Sequence, residues 1–134
     1  MSRSGKFFSE WELNCKCCGG FPDENGVDDR LVAVLDHLRE QMGGPLEISC
    51  AYRCPEHNAE VGGVVNSQHV LGTAADILCP DYLSWENFVW YLENCTEIPG
   101  VISKDEISLG FYRSSLFAHL DVRGYAARWT EDDY

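Results

Sequence analysis

The feature of this sequence that most constrains the fold is an apolar stripe between Asp28 and Met42. Its members recur every three or four residues, which is the spacing of one face of an α-helix. They are Leu31, Val32, Leu35, Leu38 and Met42. Acidic residues open this segment and Gly43 follows it, as expected at the two ends of a helix. Such a helix must bury its stripe against a second layer, and the rest of the chain has to supply that layer.

Four segments have the apolar alternation or β-branched content of short strands. They are residues 46–52, 74–79, 107–112 and 116–122. Helical segments are predicted at 55–61, which starts with a proline, and at 85–95, where Ser84 can act as the N-cap. The order lacks a regular strand–helix–strand alternation, so the pattern predicts an α+β fold. We expect a small, mainly antiparallel sheet with helices packed on it.

The length of 134 residues fits a single domain spanning 1–134. Residues 1–26 read as an irregular, cysteine-containing N-terminal segment, because glycine, proline and asparagine interrupt it repeatedly. Residues 125–134 read as an acidic surface tail. We expect the domain to be a monomer.

The formal net charge of −12 argues against two classes of partner. Nucleic acid and anionic lipid both require a basic face, so neither is expected to bind. No apolar run is long enough to span a bilayer, and the N-terminus lacks the pattern of a signal peptide. We therefore expect synthesis in the cytoplasm.

The seven cysteines leave three states open: free thiols, disulfides or a structural metal site. Three of them crowd together at Cys15, Cys17 and Cys18, so this cluster is a candidate for a second metal site. Cys50 precedes a Tyr-Arg pair and is interpreted as a small buried residue, because no signature of a nucleophilic cysteine surrounds it.

Two histidines lie near aspartates. His69 precedes Asp76 by seven residues, and His119 is followed by Asp121 after one residue. Two imidazoles and a carboxylate are a known ligand set for catalytic zinc, which keeps its fourth position for water. The alternative is that these are surface histidines in ordinary salt bridges. On a strand, His119 and Asp121 would face the same side, where Asp121 could accept a proton or hold the His119 ring.

A longer pattern carries a family resemblance. It includes ISCAYRCPEHN at 48–58, the Ser-x-His-x-x-Gly-x-Ala-x-Asp pattern at 67–76, and FAHLDVRG at 117–124. From about Phe7 to Gly124 the chain resembles the zinc D-alanyl-D-alanine carboxypeptidase-like family of murein peptidases. It is most similar to the small single-domain members found in bacteria and their phages, which are endolysin-like enzymes of cell wall degradation.

The resemblance implies a zinc metallopeptidase that hydrolyses a bond next to a D-amino acid in peptidoglycan stem peptides, as carboxypeptidase or endopeptidase. One Zn²⁺ in a cleft on the sheet would activate the attacking water. The implied zinc ligands are His69, Asp76 and His119. Arg53 is implied to clamp a substrate carboxylate or the developing oxyanion, with Ser67 and Tyr112 as further substrate-binding residues. The enzyme would reach the wall only after release by a holin, a virion or lysis.

The sequence departs from the family at Leu116, where several branches have a catalytic carboxylate three residues before the last zinc histidine. Asp121 is therefore the candidate general base, with Glu106 in reserve. If neither residue serves, the chain is a non-catalytic zinc-containing module that binds peptidoglycan or a protein.

Overall fold

The computed structural model describes residues 8, 13–15, 27–62 and 68–131 of the chain. Its helices are α1 (Asp29–Met42), α2 (Pro55–Glu60) and α3 (Trp85–Asn94). Its strands are β1 (Ile48–Cys50), β2 (Ala74–Leu78), β3 (Ser108–Tyr112), β4 (Phe117–Asp121) and β5 (Arg128–Thr130). None of the helices in these ranges is both long and apolar enough to cross a membrane.

The five strands form one sheet in the order β1-β2-β4-β3-β5. The first three strand pairings are antiparallel, and β3 pairs with β5 in parallel. The predicted α+β class with a mainly antiparallel sheet is therefore confirmed. Strand β5 was not predicted, because its three residues carry only one half-buried side chain, Trp129, and thus little periodic signal.

The two longer helices begin where their capping residues predict. Asp28 accepts a hydrogen bond from the backbone N–H of Arg30 at 2.8 Å, and Ser84 accepts one from Asn87 at 3.1 Å. Helix α1 ends at Gly43, which has φ +74°, a backbone conformation that glycine adopts without strain. Local sequence thus determines both ends of α1.

The sheet has two different faces, because successive side chains on a strand alternate between them. One face packs against the apolar stripes of α1 and α3. This core includes the fully buried Leu35, Leu38, Ile77, Phe88, Leu92, Leu109 and Leu120. Each such side chain contributes roughly 1.5–3 kcal/mol to stability when buried. The opposite face holds Asp76, His119 and Asp121.

The cysteines among the described residues are thiols, not disulfides. Cys15 is buried, and its Sγ accepts a hydrogen bond from the backbone N–H of Cys54 at 3.3 Å. The contact ties the N-terminal segment to the loop after β1. Cys17 and Cys18, which complete the predicted cluster, lie outside the described residues.

Candidate metal centre

A single row of residues crosses the polar face of the sheet from one edge to the other. Cys50 pairs with Asp76, Asp76 with His119, His119 with Gly110, and Gly110 with Trp129. Directly opposed residues on neighbouring strands project to the same side of a sheet. The register therefore brings together Asp76 and His119, which are 43 positions apart in the chain.

The carboxylate of Asp76 lies between two imidazoles. Its Oδ1 is 3.2 Å from Nε2 of His69 and 3.2 Å from Nδ1 of His119. Zinc bonds of 2.0–2.1 Å in a tetrahedron place neighbouring ligand atoms about 3.3 Å apart. The two donor distances at Asp76 match that spacing, so the pairs Asp76–His69 and Asp76–His119 each have the separation of two neighbouring zinc ligands.

His69 is held on its other ring nitrogen. It is buried in the turn before β2, and its Nδ1 lies 2.7 Å from the carbonyl oxygen of Ala51. A carbonyl only accepts, so Nδ1 carries the proton and donates it, and Nε2 is the nitrogen directed at Asp76. A histidine ligand typically donates its second N–H in this way, which fixes the ring for the metal.

The hydrogen bonds and charges of their neighbours shift the pKa values of His69 and Asp76 in opposite directions. Burial lowers the pKa of His69, but hydrogen bonds with Asp76 and Cys50 and the charge of Asp76 raise it to about 10. Burial raises the pKa of Asp76, but hydrogen bonds from His119 and His69 bring it well below its usual value. In the absence of metal, His69 is therefore an imidazolium paired with a carboxylate at neutral pH.

His119 is likewise held on the ring nitrogen that points away from Asp76. Its Nε2 lies 2.6 Å from Oδ2 of Asp121, which is fully buried. Arg123 donates to both oxygens of this carboxylate, from Nε at 2.8 Å and from Nη2 at 2.7 Å. Burial raises the pKa of Asp121, but the hydrogen bonds from His119 and Arg123 keep it below its usual value. Asp121 is therefore an ionised acceptor.

Cys50 lies at the other end of the cluster. With His69 and Asp76 it offers three donor atoms within 4.8 Å of one another, a group that could also hold a metal ion. Its Sγ is 3.7 Å from Nδ1 of His69, the nitrogen that donates to Ala51. The side chain is half-buried rather than buried as the sequence suggested.

Aromatic rings line the side of the centre next to His119. The indole of Trp129 lies 5.3 Å from the His119 ring, measured between centroids, and donates from Nε1 to the hydroxyl of Tyr112 at 2.8 Å. Tyr112 stacks on Phe117 with the ring planes 2° apart. Tyr112, a predicted substrate-binding residue, therefore lies on the same face as His119 but has its hydroxyl engaged by Trp129.

The remaining residues singled out in the sequence have different surroundings. Arg53 is half-buried beside the centre, and its backbone N–H donates to the carbonyl of His69 at 3.1 Å. Ser67 lies outside the described residues. Leu116 precedes β4 in a turn and is 53% exposed. Glu106 caps a 3-10 helix through the backbone N–H of Ser103 and pairs with Arg30.

Sequence reasoning assigned no role in the centre to three of the residues found around it. Cys50 was interpreted only as a small residue, although it pairs directly with Asp76 across the sheet. Arg123 follows Asp121 by two residues, so the pattern His-x-Asp-x-Arg was the available signal. Trp129 joins the centre only through the parallel pairing of β5, which short-range patterns do not reveal.

A polar sheet face with two histidines around one carboxylate defines a candidate metallohydrolase centre. A Peptidase M15 family model matches residues 6–121, which is most of the chain. The chain therefore belongs to the Peptidase M15 family, the zinc D-Ala-D-Ala carboxypeptidase-like metallopeptidases, as the sequence resemblance predicted. Comparison with curated proteins and comparison with solved structures each found no match.

Proposed function

We propose that the chain is a zinc-dependent peptidase that hydrolyses a peptide bond next to a D-amino acid in peptidoglycan stem peptides, and that it does so as a monomer. The observation that carries the proposal is Asp76 Oδ1, which lies 3.2 Å from a ring nitrogen of each histidine. Family membership supports the reaction class, because peptidases of this family depend on zinc.

Three side chains would hold the ion: His69 through Nε2, Asp76 through Oδ1 and His119 through Nδ1. When bound, zinc supplies Lewis-acid polarisation of a carbonyl and lowers the pKa of a coordinated water. The chain prepares both imidazoles for this role. Ala51 fixes the ring of His69 and Asp121 fixes the ring of His119, so in each case one nitrogen is left for the ion.

Arg53 is proposed to bind a carboxylate of the stem peptide, since a guanidinium can contact two oxygens at once. Its backbone hydrogen bond to His69 supports this role, because it keeps residue 53 adjacent to a proposed zinc ligand. The face of Trp129 and the stacked pair of Tyr112 and Phe117 would form an apolar wall for the peptide beside His119.

Asp121 was expected either to accept a proton or to hold the His119 ring. Its contacts favour the second role, because the carboxylate is fully buried and accepts hydrogen bonds at both oxygens. This observation also favours a second candidate function. If no other group moves the proton, the chain is a zinc-containing module that binds peptidoglycan without cleaving it.

Mass spectrometry of muropeptides distinguishes the two functions. Purified peptidoglycan of several chemotypes is incubated with the zinc-loaded protein, and the His69→Ala variant is the control. New fragments that require His69 would establish the peptidase, and their masses would identify the bond. Identical profiles for the two proteins on every chemotype, with zinc bound to the wild-type chain, would establish the binding module instead.

A further inference from the structure

Arg123 holds the carboxylate of Asp121, which in turn contacts the ring of His119. Its guanidinium holds the Asp121 carboxylate by two parallel hydrogen bonds, one to each oxygen. Its backbone N–H donates to Oδ1 of the same carboxylate at 3.1 Å. Three donors from one residue leave Asp121 little freedom to rotate, and Oδ2 is thereby directed at Nε2 of His119.

The guanidinium is itself contacted by two aromatic side chains. Its central carbon lies 5.4 Å from the centroid of the Trp129 ring and 5.5 Å from that of the Tyr125 ring, which are cation–π distances. Nη1 lies 3.5 Å from the Tyr125 hydroxyl. With Nε and Nη2 on Asp121, all three guanidinium nitrogens have partners within the protein.

We propose that Arg123 is a positioning residue of the metal centre. By fixing Asp121 at two points, it makes Asp121 the acceptor for Nε2–H of His119 and keeps the lone pair of Nδ1 directed at Asp76. A lysine cannot replace it, because an ammonium group lacks the planar fork that contacts two carboxylate oxygens. The proposal rests on the zinc site of the proposed function.

The experiment measures zinc affinity by competition with a chelator, in Arg123→Ala, Arg123→Lys and wild type. The matched control is Arg113→Ala, which removes the same charge from an exposed arginine paired with Glu86. Loss of an outer partner of a metal-bound histidine weakens metal binding by about 10- to 100-fold. We expect this loss in both Arg123 variants and a change of less than about twofold in the control.

A second readout separates positioning from general destabilisation. The ring nitrogens of His119 are observed by ¹⁵N NMR in the zinc-loaded protein. We expect a protonated Nε2 in wild type, and loss of that protected proton in Arg123→Lys, which keeps the charge and is the variant less disruptive to folding. Wild-type zinc affinity in Arg123→Lys, or a retained Nε2 proton in both variants, would overturn the proposal.

Two further outcomes are distinguishable. If the Arg123 variants raise KM and leave zinc affinity unchanged, Arg123 contacts the substrate and the positioning role is wrong. If the wild-type protein binds zinc with a protonated His119 Nε2 but releases no muropeptide, the proposed peptidase function fails while the role of Arg123 stands.

Discussion

Gly110 and Trp129 lie opposite each other on strands β3 and β5, and the indole occupies the space that a side chain at position 110 would fill. A Cβ at residue 110 would overlap the Trp129 ring. The absence of a side chain at residue 110 therefore leaves room for the indole of Trp129 beside His119. Gly110 on β3 thus makes room for Trp129 on β5, and Trp129 forms one wall of the candidate metal centre.

Substitution of Gly110 by alanine is expected to lower the free energy of unfolding by about 1–3 kcal/mol, because it overfills this space. The measurement is urea denaturation. The Trp129→Ala background supplies the control, since alanine at 110 should be far less destabilising once the indole is gone. Equal effects of Gly110→Ala in the two backgrounds would contradict the packing argument.

Leu116 is expected to be a site of stored backbone strain. It has φ +53° and ψ +45°, and a left-handed conformation costs a residue with a Cβ about 1–2 kcal/mol. Its side chain is 53% exposed, so little burial is lost on truncation. Leu116→Gly should therefore raise the free energy of unfolding by about 1 kcal/mol in thermal or urea melts. Leu116→Ala retains the Cβ and should produce no comparable gain.

Cys50 is expected to lie outside the coordination of the ion. Its Sγ lies 3.7 Å from Nδ1 of His69, whereas Nε2 of His69 faces Asp76. Cys50→Ser should accordingly change zinc affinity by less than about threefold, compared with a loss of at least about 10-fold if a ligand were removed. The cobalt-substituted protein provides the direct measurement. A thiolate-to-cobalt absorption band that disappears in Cys50→Ser would show that the cysteine is a ligand.

Zinc binding at neutral pH is expected to release a proton. His69 has a raised pKa of about 10 without metal, so it is protonated at pH 7, and its Nε2 must lose that proton before it can bind zinc. The apparent zinc affinity should therefore rise with pH, by about tenfold per unit between about pH 6 and 9.

Calorimetric titrations with zinc in buffers of different ionisation enthalpy measure the proton count. The Cys50→Ser variant is the control, because a coordinating thiol would also release a proton. Equal proton release in wild type and Cys50→Ser would assign the proton to the histidine. Zinc affinity that is independent of pH over this range would contradict the assignment.

Much of the fold was predictable because its signals are local. The stripe that begins at Leu31, the N-caps Asp28 and Ser84, and Gly43 after the helix all act within a few residues. They determine where α1 and α3 lie, whatever the rest of the chain does. The unpredicted strand β5 has no such local signal, because its pairing with β3 depends on contacts across the sheet.

The candidate site was likewise predictable only in part. The resemblance of the sequence pattern to one family predicted His69, Asp76 and His119 as zinc ligands, and the structure brings both histidines to Asp76. The role of Asp121 was left open between accepting a proton and holding the His119 ring, and Cys50 was interpreted only as a small buried residue. A carboxylate or a thiol can serve in several roles, and the role that it takes depends on the atoms that surround it in the folded protein.

The sequence by itself determined the helices, four of the five strand segments and the family resemblance. The tertiary structure decided which ring nitrogen of each histidine faces Asp76, that Arg123 holds Asp121, and that Trp129 lies over Gly110. The physical reason is that these features depend on strand register and hydrogen-bond geometry between residues distant in the chain. Such contacts exist only once the sheet has formed.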